Sequence, residues 1–367
     1  MNHLNKHIVI VSSEFPPQPG GIGNHAFNLA LYLTKAHYEV SVITDQRSIS
    51  GADEHNFDRA QPFSVYRVKR YSFRIIMYLR RIIKTYKSLK KADYVIATGK
   101  FSLWNVAFLS LFRKVKSIAV IHGTEVNFKP TLLRKSIDFA LKRMDHIIAV
   151  SHYTKTLISH LNLEVSVIPN GINLESWTKN ELTEIELKGH PTLTTVGRVS
   201  SRKGQLNVIK QLPELINKFP NIHYHCVGIP TEAHNFFNIA KQHKVETHIT
   251  FHGNVDQKHL QHILKATDIF VMLSSESKTG DVEGFGIAIL EANALGIPAI
   301  GSKGCGIEDA IDDKTSGVLI ESNNPKALIN AIELINNNTL RFKKEARNWA
   351  KSHDWSHIIL PYTELLN

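Results

Sequence analysis

Cysteine is nearly absent: Cys226 and Cys305 are the only two in 367 residues, so no disulfide framework can form, and neither stands at metal-ligand spacing. Such usage fits a reducing compartment. Long apolar runs are also missing. A bilayer span needs roughly 20 such residues, and Phe101–Phe112 is too short and interrupted by Asn105. The opening MNHLNKHIVIVSS runs straight into a β-branched segment and carries no signal-peptide pattern. A cytoplasmic location is therefore expected. There is no low-complexity segment and no short repeat. None of the 20 histidines falls in H-E-x-x-H, and no complete G-x-G-x-x-G appears, so zinc-hydrolase and dinucleotide readings lack support.

Acidic residues are scarce in one half only. Residues 1–180 hold 25 Lys+Arg against 12 Asp+Glu, and the rest hold 19 against 21, so the first half carries all of the net +11. The densest part runs from Arg67 to Lys91, with Arg67, Lys69, Arg70, Arg74, Arg80, Arg81, Lys84, Lys87, Lys90 and Lys91 and no acid. Ile75, Ile76, Leu79, Ile82 and Ile83 are interleaved, so a helix here has a basic face and an apolar face. Two readings stand: attachment to an anionic membrane surface or acceptor, or an apolar stripe in the core with solvated cations outside. No nucleic-acid-binding motif accompanies the charge, and no nucleic acid partner is expected.

A chain of this length suits two domains. His7–Ser13 reads as a buried parallel strand, residues 14–23 as a Pro/Gly loop, residues 24–35 as a helix and Tyr38–Thr44 as the next strand: a βαβ unit. Further strands are predicted at Tyr94–Ala97, Ser117–Ile121, His146–Val150 and Val165–Ile168. A polar stretch from Asn173 to Pro191 reads as a linker. A second series follows at Thr192–Val196, Ile222–Val227, His248–Phe251, Ile269–Met272, Pro298–Ile300 and Gly317–Ile320, and the tail from Trp355 reads as a helix. Alternation of this kind predicts an α/β fold with mostly parallel sheets. The expected division is 1–180, 181–350 and a C-terminal helix, 351–367.

The motifs fall at the ends of predicted strands or the starts of helices. Glu283 and Glu291 flank Gly284, Phe285, Gly286 and Ile287, where glycines let backbone N–H groups approach a phosphate and carboxylates can bind hydroxyls. Arg198 and Lys203, with Gly197 and Gly204, follow a strand and could neutralise a diphosphate; Arg202 between them reads as solvent-facing. Gly20 and Gly21 open the first helix, and His122 directly follows a strand. Val255 and the loop Gly301–Gly304 are further strand-end candidates, either of which could be a plain turn. Together these suggest a nucleotide-sugar site.

Glu-x7-Glu, preceded by Gly-Arg-x4-Lys-Gly and by Glu-Phe-Pro-Pro-x-x-Gly-Gly-Ile-Gly, resembles the retaining glycosyltransferases of family 4 (group 1), and the resemblance runs from Ile8 to Leu366. It implies a GT-B fold, with two Rossmann-like domains, a central cleft and the tail helix packed on the first domain. It implies that Glu291 binds the ribose and that Glu283 binds hydroxyls of the transferred sugar. Backbone amides at Phe285, Gly286 and Ile287 would hold the diphosphate, with Gly20, Gly21 and His122 beside the donor sugar and Val255 near the base. It implies same-face attack, with the leaving phosphate taking the acceptor's proton. No Asp-x-Asp stands at a strand end, Asp281-Val-Glu283 being the nearest, so no metal and no other cofactor is expected. The expected partners are a nucleotide-sugar and a glycan or lipid-linked acceptor in surface polysaccharide synthesis. A nucleotide-sugar epimerase and a non-catalytic membrane-binding protein on the same scaffold remain the alternatives.

Overall fold

The computed structural model describes residues 6–69, 71, 73–179, 183, 185–277 and 279–367. It divides into two compact units. Unit 1 runs to Gly171 and takes in Trp355–Asn367; unit 2 is Ile172–Asp354. The stretch expected to be a linker belongs instead to unit 2, because Leu174–Thr178 forms a short helix that buries Trp177.

Unit 1 is built on a seven-stranded parallel sheet of β1 (His7–Ser12), β2 (Glu39–Asp45), β3 (Ser64–Val68), β4 (Tyr94–Thr98), β5 (Lys116–Ile121), β6 (His146–Ala149) and β7 (Ser166–Val167). Their order in space is β3-β2-β1-β4-β5-β6-β7. β1 is central because HIVIVS is nearly all β-branched and apolar, the composition of a strand covered on both faces. Ile8 pairs with Val40 on one side and Tyr94 on the other. Val9, Val11, Val95, Ala97, Ala119 and Ile121 meet the helices Lys100–Leu109 and Thr131–Leu141 in one core. β3 was not foreseen. It is an edge strand, paired among the described residues with β2 alone, and its Arg67 made SVYRV read as part of the basic stretch.

Unit 2 holds β8 (Thr192–Val196), β9 (His223–Val227), β10 (Ile249–Gly253), β11 (Ile269–Met272), β12 (Ala299–Ser302) and β13 (Gly317–Ile320), ordered β10-β9-β8-β11-β12-β13 and all parallel. Leu193, Tyr224, Cys226, Ile269 and Val271 pack against the helices Gln205–Lys218 and Pro325–Asn336. Both cysteines are buried and free.

In each sheet the chain reverses its direction of winding beside the first strand, between β1 and β4 and between β8 and β11. Open α/β sheets bind ligands outside the carboxyl ends of strands at such points.

The Arg67–Lys91 stretch is one helix only in part, Arg74–Ser88. Two of its cations are not on a surface patch. Arg67 lies in β3, its guanidinium paired with Asp58 at 2.8 Å and with Glu54 at 3.6 Å. Arg81 is 2% exposed, bonded to Asp45 and seated 3.8 Å from the Phe101 ring. A buried guanidinium needs such a carboxylate, and Asp45 at the end of β2 supplies it. Lys69, Arg80 and Lys87 are exposed and Lys84 is half-buried against Tyr66. Arg70 and the side chain of Arg74 lie outside the described residues.

Candidate active site

In unit 2 the reversal point brings three loops together. β8 leads into Gly197–Gly204, β11 into residues 273–286, and β12 into the turn at Cys305 and Gly306. Glycine is required at two close approaches. A Cβ on Gly204, whose φ is +84°, would lie 2.2 Å from the backbone of Leu273. A Cβ on Gly306 would lie 2.0 Å from the carbonyl oxygen of Gly284, and the Gly306 N–H donates to the Glu283 carbonyl at 2.9 Å. Backbone thus packs on the β11 loop at two places, Gly204 where the loop leaves the strand and Gly306 at the Gly-rich segment before the helix Ile287–Ala294.

Glu283 is the focus of charge. Lys203 Nζ lies 2.7 Å and Arg202 Nη1 2.5 Å from the same carboxylate oxygen, Oε2. Burial alone would raise this carboxyl, but Lys203 and Arg202 outweigh it and hold it at about 2. The short 3-10 turn Ser201–Lys203 aims both cations the same way. Arg202 is therefore not solvent-facing as expected from the sequence, whereas Arg198 is exposed and is not among the cations on Glu283. Lys203 also lies across Gly197, 3.1 Å from where a Cβ would stand.

Glu291 is half-buried on the helix Ile287–Ala294, its carboxyl raised to about 7 by burial, with Lys203 pulling the other way. Gly286, φ +95°, is the residue before that helix, which has no side-chain cap, so its first N–H groups are open to another acceptor. The Phe285 side chain is 1% exposed and packs toward His353, so only its backbone can serve a ligand. Val255 sits half-buried in the turn after β10. Ser302 Oγ donates to the Ser274 carbonyl at 2.8 Å and ties the β12 loop to the β11 loop.

In unit 1 the equivalent ends of β1, β4 and β5 carry Gly20, Gly21, Thr98 and His122. A Cβ on Gly20 would lie 2.2 Å from Glu14 Oε2, whereas nothing lies within 4 Å of one on Gly21. His122 Nε2 is 2.8 Å from Thr98 Oγ1, and burial lowers its imidazole to about 3, so the ring is neutral. Beneath it lies Glu125, which the motif reading did not single out. It accepts the His122 backbone N–H through Oε1, its other oxygen has no partner, and burial raises it to about 7.

Among the described residues, no group of three or more His, Cys, Asp or Glu is arranged to hold a metal ion, and no helix is long and apolar enough to cross a membrane.

The family model described as "Glycosyltransferase Family 4" matches residues 19–176, and the one described as "Glycosyl transferases group 1" matches residues 179–353. A GDP-mannose-dependent alpha-(1-6)-phosphatidylinositol monomannoside mannosyltransferase of Mycolicibacterium smegmatis is 24% identical over 344 residues, covering 89% of this chain and 88% of its own. A GDP-mannose-dependent monoacylated alpha-(1-6)-phosphatidylinositol monomannoside mannosyltransferase of Corynebacterium glutamicum is 24% identical over 375 residues, 97% of this chain and 96% of its own. Anabaena HepE, solved with UDP and glucose, superposes with a TM-score of 0.78 at 18% identity over 99% of both chains, a likeness that shows the GT-B fold. Two models of one enzyme class match successive halves of the chain on that fold, and the chain belongs to the group 1, family 4 glycosyltransferases.

Proposed function

We propose that the protein is a retaining transferase that moves a sugar from a nucleotide-diphosphate donor to a hydroxyl of a lipid-linked or membrane-associated glycan precursor. The observation that carries this reading is Glu283 with Arg202 and Lys203 beside an uncapped, glycine-led helix N-terminus. A diphosphate arriving there competes with Glu283 for the two cations and meets the N–H groups at Phe285, Gly286 and Ile287. Glu283 is then released to accept from hydroxyls of the sugar, and Glu291 from the ribose. Charge on the leaving diphosphate grows in the transition state, where fixed cations are worth several kcal/mol. On this reading they do a metal's work, and no metal is needed. His122 contacts the transferred sugar through its ring or backbone. The names of the two mannosyltransferases support the substrate class, since they specify GDP-mannose and a phosphatidylinositol mannoside, as the HepE structure specifies UDP and glucose.

The test is thermal shift with UDP, GDP, ADP, CMP and their sugar conjugates in EDTA, since a ligand of the native state raises Tm by mass action. One diphosphate should shift the wild type and lose its shift in Lys203→Ala and Glu291→Gln. No shift with any of them overturns the reading.

The helix Arg74–Ser88 supports work at the inner face of the cell membrane. Ile75 is 71% exposed, and Leu79 and Ile83 are also exposed, among Arg80, Lys84 and Lys87. Apolar side chains and cations on one exposed helix suit anionic lipid. Vesicles with anionic lipid should sediment the wild type and release Ile75→Ser/Leu79→Ser; equal sedimentation of both sinks the attachment.

A further inference from the structure

The C-terminal helix Trp355–Leu365 packs on the helix Gly21–Lys35, and where they meet stands a polar pair that packing alone does not need. His25 is 1% exposed, with Nε2 3.1 Å from the buried hydroxyl of Tyr362. Its Nδ1 has no partner, so Tyr362 makes the hydrogen bond that orients the ring. Trp355 lies against the same ring, 5.3 Å between centroids. His25 in turn meets His122 edge to face, with centroids 4.9 Å apart and planes at 77°. The His122 ring is thus held by two contacts, Thr98 at Nε2 and the ring of His25, leaving Nδ1 as the nitrogen that Thr98 does not take. Burying an imidazole and a phenol between two helices incurs a desolvation penalty that two apolar side chains would avoid. The pair instead gives a fixed orientation, which a hydrogen bond supplies and dispersion does not.

We infer that His25 and Tyr362 are positioning residues for His122, so that the last helix of the chain sets the orientation of the imidazole used in transfer. This rests on the proposed role of His122. Neither residue touches a substrate: Tyr362 acts through His25, and His25 through the His122 ring.

The experiment compares Tyr362→Phe, which keeps the ring and deletes the hydroxyl, His25→Phe, and the double variant. Each is read by initial-rate sugar transfer and thermal shift with whichever of the UDP- or GDP-sugars shifts the wild type, and by the NMR chemical shifts of the His122 imidazole. Tyr362→Phe should lower kcat about tenfold or more while leaving donor KM and the donor-induced shift within twofold, and should displace the His122 resonances. The double variant restores an apolar pair. It should recover stability without recovering kcat, and should be no slower than His25→Phe, as expected for residues acting in series. A kcat within twofold of wild type in folded Tyr362→Phe, or unmoved His122 resonances, overturns the inference. So does a kcat that recovers together with stability in the double variant. The resonances are read without substrate, so they decide the matter even if no nucleotide-sugar binds, a result that would remove the proposed donor but not the positioning.

Discussion

At Glu283 two cations share one carboxylate oxygen, and that charge balance is measurable in stability. Its carboxyl is held at about 2, below its ordinary 4.5, so the stabilisation it brings is present above about pH 4.5 and lost as pH falls toward 2. Lys203→Ala leaves a largely buried carboxylate with Arg202 alone and should cost about 1–3 kcal/mol in urea unfolding. Once Lys203 is gone, Glu283→Gln breaks one remaining ion pair rather than two, so the double variant should lose less than the sum of the two single losses. Simple additivity of the two losses would refute the coupling. Glu125 runs the other way. Its carboxyl is raised to about 7, so its contribution is present below about pH 4.5 and lost as pH rises through 7. Glu125→Gln keeps an oxygen for the His122 N–H and cannot ionise. It should raise Tm at pH 8, by a gain of at most about 3 kcal/mol, and change little near pH 4. A Tm lowered equally at both pH values would contradict this. Glu283 was legible from its motif. Glu125 and Arg202 were not, because burial and ion-pair partners belong to the folded chain.

Among the elements, the strand-end glycines separate two kinds of constraint. Gly204 has a left-handed φ and no room for a methyl group, so Gly204→Ala should destabilise by several kcal/mol and lower soluble yield. Gly21 begins a helix with open space where its Cβ would be, so Gly21→Ala should leave Tm unchanged or raise it slightly. If Gly21 is glycine so that a ligand can approach the backbone, the same variant should lose most of its sugar-transfer activity. Full activity would show that the position is a turn and nothing more. Most strands were legible as β-branched runs, and β8, β11 and β13 begin and end where their patterns do. β3 was hidden because an edge strand with a half-buried, ion-paired Arg lacks a continuous apolar run. Arg81 misled for a related reason: a cation on a basic helix gives no sign in sequence of the Asp45 beneath it.

For the molecule as a whole, the last 13 residues complete the first unit rather than the second. Trp355, Tyr362 and Leu366 are buried there, and Lys6 Nζ donates to the Leu366 carbonyl at 2.6 Å. Deleting residues 355–367 should therefore expose the helix Gly21–Lys35 to hydrogen exchange and leave β8–β13 protected. Protection lost first in unit 2 would reverse that assignment. Periodicity and strand-end glycines were enough in the sequence to determine an α/β chain of two Rossmann-like units, because those signals are local and repeat at short spacing. Tertiary structure alone decided that Arg202 rather than Arg198 meets Glu283, that Arg67 and Arg81 leave the basic surface, and that Tyr362 reaches His122 through His25. Each of those depends on which distant residue lies alongside, over separations of 81 residues for Arg202 and Glu283 and 337 for His25 and Tyr362, a matter of packing that no local pattern encodes.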